Sequence, residues 1–196
     1  MSKAIFLDRD GTINEEINYL KRPEDIRLIP NTIEALHLLK TLGFINIIIT
    51  NQSGIARGYL TESDLENIHR EFKVILRYSD TDLIDDIFYS PFHTEGTVSK
   101  YKSESECRKP GIGMILKAEA KHKISLSESY LIGDSYTDMK CGENAGIKKI
   151  LVRTGYGSRD LERCLDEKIN LEYVADDLYD ASLFLIKNNK KYFNGN

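Results

Sequence analysis

The sequence predicts an α/β fold: one Rossmann-like domain in which a mainly parallel sheet is flanked by helices. Three observations carry this. Short apolar runs alternate along the chain with segments of helical periodicity. One of those runs, Ile45-Asn46-Ile47-Ile48-Ile49, has the near-continuous β-branched character of a strand covered on both faces. Several runs stop at polar loops carrying Asp, Thr or Asn, and open parallel sheets place their ligands beyond such strand ends.

Taken in order, Ala4-Ile5-Phe6-Leu7 reads as a buried strand that ends at Asp8-Arg9-Asp10-Gly11-Thr12. Pro30-Asn31 opens a helical pattern with Ile33, Leu36, Leu39 and Leu42 on one stripe and Gly43 as its stop. The Ile45–Ile49 strand follows and ends at Thr50-Asn51-Gln52-Ser53-Gly54. Thr61 and Asp64 form a weak capping box before a stripe of Leu65, Ile68, Phe72, Ile75 and Leu76. A third strand is expected over Ile84–Tyr89, preceded by an acidic run, Asp80 to Asp86, read as a solvated loop. Residues 90–110 lack periodicity and read as a long functional loop. A helix over Gly113–His122, a strand over Ser129–Ile132 ending at Gly133-Asp134, a helix over Thr137–Ala145 and a strand over Lys149–Arg153 continue the alternation. Tyr173-Val174 and a helix near Leu178–Lys187 close it, so the domain is expected to span 1–187, with 188–196 a polar, frayed tail.

Bulk properties narrow the function. A chain of 196 residues suits a single full core, and 41% hydrophobic with 30% charged residues is ordinary for a globular domain. A net charge of −4 argues against nucleic acid as a partner. No apolar run is long enough for a bilayer, so no membrane partner is expected. The first residues reach Asp8 too soon for a signal peptide, and Cys107, Cys141 and Cys164 are too sparse for a disulfide framework. A cytoplasmic location follows. His37, His69 and His122, on predicted helices, are read as surface or satisfied side chains, and Cys141 and Cys164 as ordinary small residues.

The chemistry gathers at strand ends. Asp8 and Asp10 are two apart, so extended geometry would put both carboxylates on one side. Two close carboxylates need a cation or a proton between them, and Asp134 would add a third. Such an oxygen-rich site suits Mg²⁺. A carboxylate can also attack phosphorus, with the remaining work being charge neutralisation and positioning. Thr50, Asn51 and Lys109 can supply donors and charge, Thr12 a hydroxyl and an amide, and Arg108 can read the rest of a substrate. Asp-x-Asp-Gly by itself fits a calcium loop or an ordinary turn as well as it fits a catalytic motif, and Lys109 alone fits a solvated surface lysine. The three strand-end motifs in this order are what point to a built site.

These residues resemble the haloacid dehalogenase superfamily of phosphatases: Asp8 to Thr12 its first motif, Thr50 the second, Lys109 the third, Gly133-Asp134 the fourth. The resemblance implies Asp8 as nucleophile and Asp10 as general acid/base, with Thr50 and Lys109 stabilising the phosphoryl group. Mg²⁺ would be held by Asp8, the Asp10 backbone carbonyl and Asp134, supported from behind by Asp138. Over roughly residues 4–157 the longer motifs are similar to the D-glycero-D-manno-heptose 1,7-bisphosphate phosphatases, a group shared with histidinol-phosphate phosphatases. They are Phe6 to Asn14, Thr50 to Gly58, Cys107-Arg108-Lys109-Pro110 with Gly113-Met114, and Leu151 to Gly155. By that resemblance Glu16, Ile17, Asn18 and Tyr19 form a loop over the sugar, and Asn51, Gln52, Ser53, Arg108 and Ser135 contact substrate. Ser135 stands where some relatives carry Lys.

Many relatives hold a structural zinc before the Arg-Lys pair. Here the matching positions are Ser90, Phe92, Ser105 and Cys107, with His93 one position off. Only Cys107 is a usual ligand, so no zinc is expected, and packing and hydrogen bonds must hold the loop. The windows after Asp8 and Thr50 are too short for a large cap domain. The expected function is Mg²⁺-dependent release of the C7 phosphate of heptose 1,7-bisphosphate, in the making of activated heptose for surface polysaccharide, by a monomer or weak oligomer. Histidinol-phosphate phosphatase is the alternative within the enzymes; a non-catalytic binding module on the same fold is the alternative outside them.

Overall fold

The computed structural model describes residues 1–189. Its elements in chain order are β1 (Lys3–Leu7), α1 (Thr32–Thr41), β2 (Phe44–Asn51), α2 (Ser53–Ala56), α3 (Glu62–Ile75), β3 (Arg77–Tyr78), β4 (Thr81–Asp82), β5 (Asp86–Ser90), α4 (Gly113–His122), β6 (Tyr130–Gly133), α5 (Tyr136–Asn144), β7 (Lys148–Val152), α6 (Gly157–Asp166), β8 (Tyr173–Ala175) and α7 (Leu178–Asn188). The large sheet has six strands in the order β5-β2-β1-β6-β7-β8, all paired in parallel. The chain builds outward from β1 to β2 and β5, then crosses back to β6 and continues the other way. The reversal falls between β1 and β6, the kind of switch point where open α/β sheets bind ligands.

Period-2 alternation splits each central strand between two cores. Ala4 and Phe6 of β1 pack with Ile47, Ile49, Leu131 and Leu151 under α4 and α5. Ile5 and Leu7 pack with Ile48, Ile132, Ile150 and Val152 under α1, α3 and α7. The sheet is therefore covered on both faces, which is why its strands read as unbroken apolar runs. Leu7 pairs with Ile48 on one side and Ile132 on the other, so Asp8 emerges at the centre of the carboxyl edge.

Helix ends follow local chemistry. Gly43 takes φ +80° after α1, a conformation that suits glycine. The capping box before α3 forms in full: the Asp64 amide donates to Thr61 Oγ1 at 3.1 Å, and the Thr61 amide to Asp64 Oδ2 at 2.8 Å.

Several boundaries and two elements differ from expectation. The third strand starts at Asp86, not Ile84, because Ile84 turns into the core ahead of it. The acidic run is not simply a solvated loop. Thr81 and Asp82 pair with Tyr78 and Arg77, Asp85 binds Lys40 at 2.7 Å, and Asp86 accepts from His122 at 2.7 Å. The helix α6 has no counterpart among the expected elements, since of its residues only Gly157 and Cys164 are buried. The tail expected over 188–196 lies outside the described residues from 190 onward; Asn188 closes α7.

One polar residue sits inside the most apolar strand. Asn46 is fully buried, and its Nδ2 donates to the carbonyls of Leu36 (3.1 Å) and Leu83 (3.0 Å). It ties α1 and the approach to β5 onto β2. Asn46→Ala leaves two buried carbonyls without that donor, so urea unfolding should show a loss of about 1–3 kcal/mol with an unchanged fold.

Candidate active site

The floor of the site is one buried cation held by two carboxylates. Lys109 Nζ lies 2.6 Å from Asp8 Oδ1, 2.6 Å from Asp138 Oδ1 and 2.9 Å from the Ile49 carbonyl. Burial alone would lower its pKa; the charges of Asp138 and Asp8 outweigh this and hold it above the usual lysine range. Lys109 is carried by the loop between β5 and α4, which folds back on itself through the Gly113 amide on the Glu106 carbonyl (2.7 Å). Asn51, at the end of β2, fixes the lysine backbone: its Oδ1 accepts from Lys109 N at 3.0 Å and its Nδ2 donates to Lys109 O at 3.1 Å. The solvated-lysine reading is thereby excluded.

Asp10 occupies a different environment from Asp8. Its carboxylate accepts from Arg9 Nη2 (2.7 Å), Arg9 Nε (3.2 Å), Asn14 Nδ2 (2.9 Å) and Gln52 Nε2 (3.0 Å). Burial works to raise its pKa, but the Arg9 charge and these donors win and hold it below the ordinary carboxylate range. Asp8 goes the other way. Burial, partly offset by Lys109 and reinforced by the charges of Asp138 and Asp10, pushes it up to about 7. Arg9 is itself fully buried, stacked 5.5 Å from the Phe72 ring centre and 3.2 Å from His69 Nε2. Burial and the Arg9 charge push His69 down to about 3, so it is a neutral acceptor for the guanidinium. His69 is thus a satisfied partner in the core.

Three carboxylates, from Asp8, Asp134 and Asp138, place oxygens within 4.8 Å of one another. Burial, then repulsion from Asp8 and Asp138, pushes Asp134 up to about 9. An acidic cluster so costly to ionise with only Lys109 beside it fits a divalent cation with oxygen preference. The backbone makes room for the Asp134 carboxylate. A Cβ on Gly11 would stand 2.2 Å from Asp134 Oδ2, and one on Gly155 2.0 Å, so neither position tolerates a side chain. The Tyr156 amide donates to Asp134 Oδ2 at 2.7 Å. Asp138 is largely committed elsewhere: Oδ1 to Lys109, and Oδ2 to the Ser135 amide (3.0 Å) and hydroxyl (2.6 Å), capping α5. The Asp10 carboxylate is outside this cluster.

A cavity of about 400 Å³ opens above these groups. Asp8, Asp10, Thr50, Lys109, Asp134 and Asp138 line it, and so do Glu16, Asn18, Tyr19, Asn51, Gln52, Ser53, Arg108 and Ser135. Two expected contributors do not. Ile17 stands at the loop surface, 40% exposed and off the wall, since Glu16 and Asn18 take the inward positions on either side. Thr12 is fully buried beneath the motif turn, with its amide on the Arg9 carbonyl (3.4 Å), so its hydroxyl offers nothing to a phosphate in the cavity. Gln52 has a second task, bridging Asp10 Oδ2 and Thr50 Oγ1 (2.9 Å). Sequence reasoning missed Arg159, Asp160 and Arg163 of α6 in the wall, and the buried Arg9–His69 pair beneath it. An arginine inside an apolar-flanked motif was the available signal for the pair.

The loop before Lys109 is pinned by protein contacts. The amides of Thr97 and Val98 donate to the Ala56 carbonyl (2.8 and 2.9 Å), His93 N to Tyr101 O (3.1 Å), and Arg108 Nη1 to Phe92 O (3.2 Å). Phe92 and Tyr101 meet edge to face at 6.0 Å.

Comparison with known proteins gives a consistent picture. A family model described as HAD-hydrolase-like matches residues 106–181. The D-glycero-beta-D-manno-heptose-1,7-bisphosphate 7-phosphatase of Haemophilus influenzae is 43% identical over 156 residues, covering 79% of this chain and 84% of that protein. The alpha-anomer enzyme of Photorhabdus laumondii is 41% identical over 155 residues, covering 79% of this chain and 84% of that protein. The structure of D,D-heptose 1,7-bisphosphate phosphatase from B. bronchiseptica, complexed with magnesium and phosphate, superposes with a TM-score of 0.81 at 28% identity, covering 95% of this chain and 99% of that one.

Asn51→Ala removes both bonds to the Lys109 backbone while leaving Asp8 and Asp10 in place. Phosphatase kcat should fall about tenfold to a hundredfold, as expected for a displaced catalytic group, with thermal unfolding showing a folded protein.

Proposed function

This chain belongs to the haloacid-dehalogenase-like D-glycero-D-manno-heptose-1,7-bisphosphate 7-phosphatase family and is a phosphatase, and from that membership we propose that it removes the C7 phosphate of heptose 1,7-bisphosphate through a phospho-aspartate on Asp8. The observation that carries the mechanism is the contrast between two neighbouring carboxylates. Asp8 is tied at one oxygen to Lys109 and opens onto the cavity, whereas Asp10 is oriented by four donor contacts in its wall.

In this reading Asp8 attacks the C7 phosphorus with the oxygen not engaged by Lys109. Asp10, ionised at rest, picks up a proton from solvent and delivers it to the sugar oxygen as the bond from phosphorus to that oxygen breaks. Asp10 then takes a proton from water, which attacks the aspartyl phosphate and releases inorganic phosphate, and passes that proton to solvent, returning both carboxylates to their starting, ionised state. Lys109 and the Thr50 hydroxyl offset the charge on the phosphoryl oxygens. Asp8, Asp134 and the Asp10 carbonyl are the groups that would hold Mg²⁺, with Asp138 behind them. Bound there, Mg²⁺ would supply charge neutralisation at the phosphoryl group. Support comes from the acidic cluster and from the magnesium and phosphate in the related B. bronchiseptica enzyme.

Arg108 and the loop from Glu16 to Tyr19 face the sugar, with Glu16 suited to hydroxyl groups; burial and the Asp10 charge raise its pKa. The catalytic unit spans 1–187 and acts in the cytoplasm as a monomer or weak oligomer. Among the described residues no helix is long and apolar enough to cross a membrane.

Phosphate release should be Mg²⁺-dependent and abolished by a chelator. It should favour one anomer of heptose 1,7-bisphosphate over histidinol phosphate in parallel assays. A preference for histidinol phosphate contradicts the substrate reading while leaving the chemistry intact. Asp8→Asn should lower kcat by at least about a thousandfold, by analogy with other removed nucleophiles, without unfolding the protein.

A further inference from the structure

The chemistry above uses Arg9 as a donor to Asp10 and leaves His69 without a task. Arg9 has no solvent exposure, and His69, on α3, is 9% exposed and outside the cavity wall. The guanidinium is a rigid planar fork. One edge of it, Nε and Nη2, meets the two oxygens of the Asp10 carboxylate at 3.2 and 2.7 Å. Side-on pairing of this kind fixes the plane of a carboxylate as well as its place. It also turns Nη1 away from Asp10 and toward α3, where His69 Nε2 stands 3.2 Å from it.

The helix supplies both halves of a cradle. His69 and Phe72 are three residues apart and share one face of α3. The imidazole takes Nη1, and the Phe72 ring centre lies 5.5 Å from the guanidinium carbon. Tyr89, on β5, backs the imidazole with ring centres 5.8 Å apart. The acceptor is neutral, because burial and the Arg9 charge suppress protonation of His69. Neutrality matters for Asp10: a carboxylate in this place would also satisfy Nη1 but would divide the guanidinium charge between two anions. The other two donors, Asn14 Nδ2 and Gln52 Nε2, give Asp10 one bond each and a second to the Glu15 carbonyl (2.8 Å) and Thr50 Oγ1 (2.9 Å). Of these donors only Arg9 grips both carboxylate oxygens.

We infer that His69 is a positioning residue for proton transfer: by holding Nη1 of Arg9 it sets the plane of the Asp10 carboxylate, without touching substrate. This rests on Asp10 as the proton-transfer group proposed above and extends the machinery to α3. A guanidinium released at Nη1 keeps its charge near Asp10 but loses the orientation of its fork. A proton-transfer group displaced from its working geometry loses rate steeply. The loss falls on kcat, since other residues bind the sugar and the phosphoryl group.

The experiment is steady-state kinetics on heptose 1,7-bisphosphate with saturating Mg²⁺, on variants whose folding is checked by thermal unfolding. Asp10→Asn should lower kcat at least about a hundredfold; wild-type activity there contradicts the proton-transfer reading itself, and the role of His69 with it. Given that fall, three changes at His69 decide the inference. Gln carries an acceptor at the position of Nε2, Asn is too short to reach Nη1, and Leu keeps bulk without an acceptor. His69→Asn and His69→Leu should lower kcat about tenfold to a hundredfold with KM within about twofold, while His69→Gln stays within about threefold of wild type. A packing role makes Leu the best tolerated of the three; that order, or Gln as impaired as Asn, overturns the inference alone. If His69→Leu does not fold, the Gln and Asn pair still decides. Adding His69→Asn to Arg9→Gln should cost no more than about a further twofold, and an undiminished loss shows that His69 does not act through Arg9.

Discussion

Lys109 between Asp8 and Asp138 is the contact on which the rest of the site depends. A buried ammonium is costly unless it is paired and hydrogen-bonded, and here two carboxylates at 2.6 Å and a carbonyl at 2.9 Å complete its shell. Each partner comes from a different strand end: Asp8 from β1, Ile49 from β2, Asp138 from the first turn after β6. The lysine therefore reads the relative positions of three strands at once. It also fixes which Asp8 oxygen is engaged, leaving the other for the cavity.

The charges around it follow from burial and partner choice. Asp8, Asp10 and Asp134 are chemically identical, but Asp10 is given an arginine and amide donors, while Asp8 and Asp134 face each other and Asp138. Two carboxylates are pushed up and one is held down. The two pushed up need a cation before they ionise, which fits the proposed nucleophile and metal-holding roles, while the one held down stays ionised and fits a base. Arg9 makes it possible only because His69, sixty residues away on α3, accepts from the guanidinium inside the core. The glycines complete the arrangement: Gly11 and Gly155 clear the space that the Asp134 carboxylate fills.

Most of the sheet and the centre of the site were legible in the sequence because both depend on local pattern. Strands covered on both faces must be apolar throughout, and the residues after Leu7, Ile49 and Gly133 must leave the core, so motif and strand end coincide. Three kinds of feature were not legible. The helix α6 buries only Gly157 and Cys164, too thin a stripe to give a period, although it brings Arg159 and Arg163 to the wall. The Arg9–His69 and Arg57–His93 contacts join residues far apart in sequence, which spacing does not reveal. Inward and outward positions in an irregular loop follow no period, which is why Ile17 was expected on the wall that Glu16 and Asn18 occupy.

The central claim is covalent catalysis at Asp8, and the most direct measurement is to trap the intermediate. The enzyme would be mixed with Mg²⁺ and heptose 1,7-bisphosphate, quenched in acid within the first turnover, digested and read by mass spectrometry. The account predicts a phosphoryl group on the peptide spanning Lys3–Asn14, localised to Asp8 and sensitive to mild base as an acyl phosphate is. A phosphoryl group on another residue, or active enzyme with none on any residue under a quench that traps a known acyl-phosphate enzyme, would contradict it.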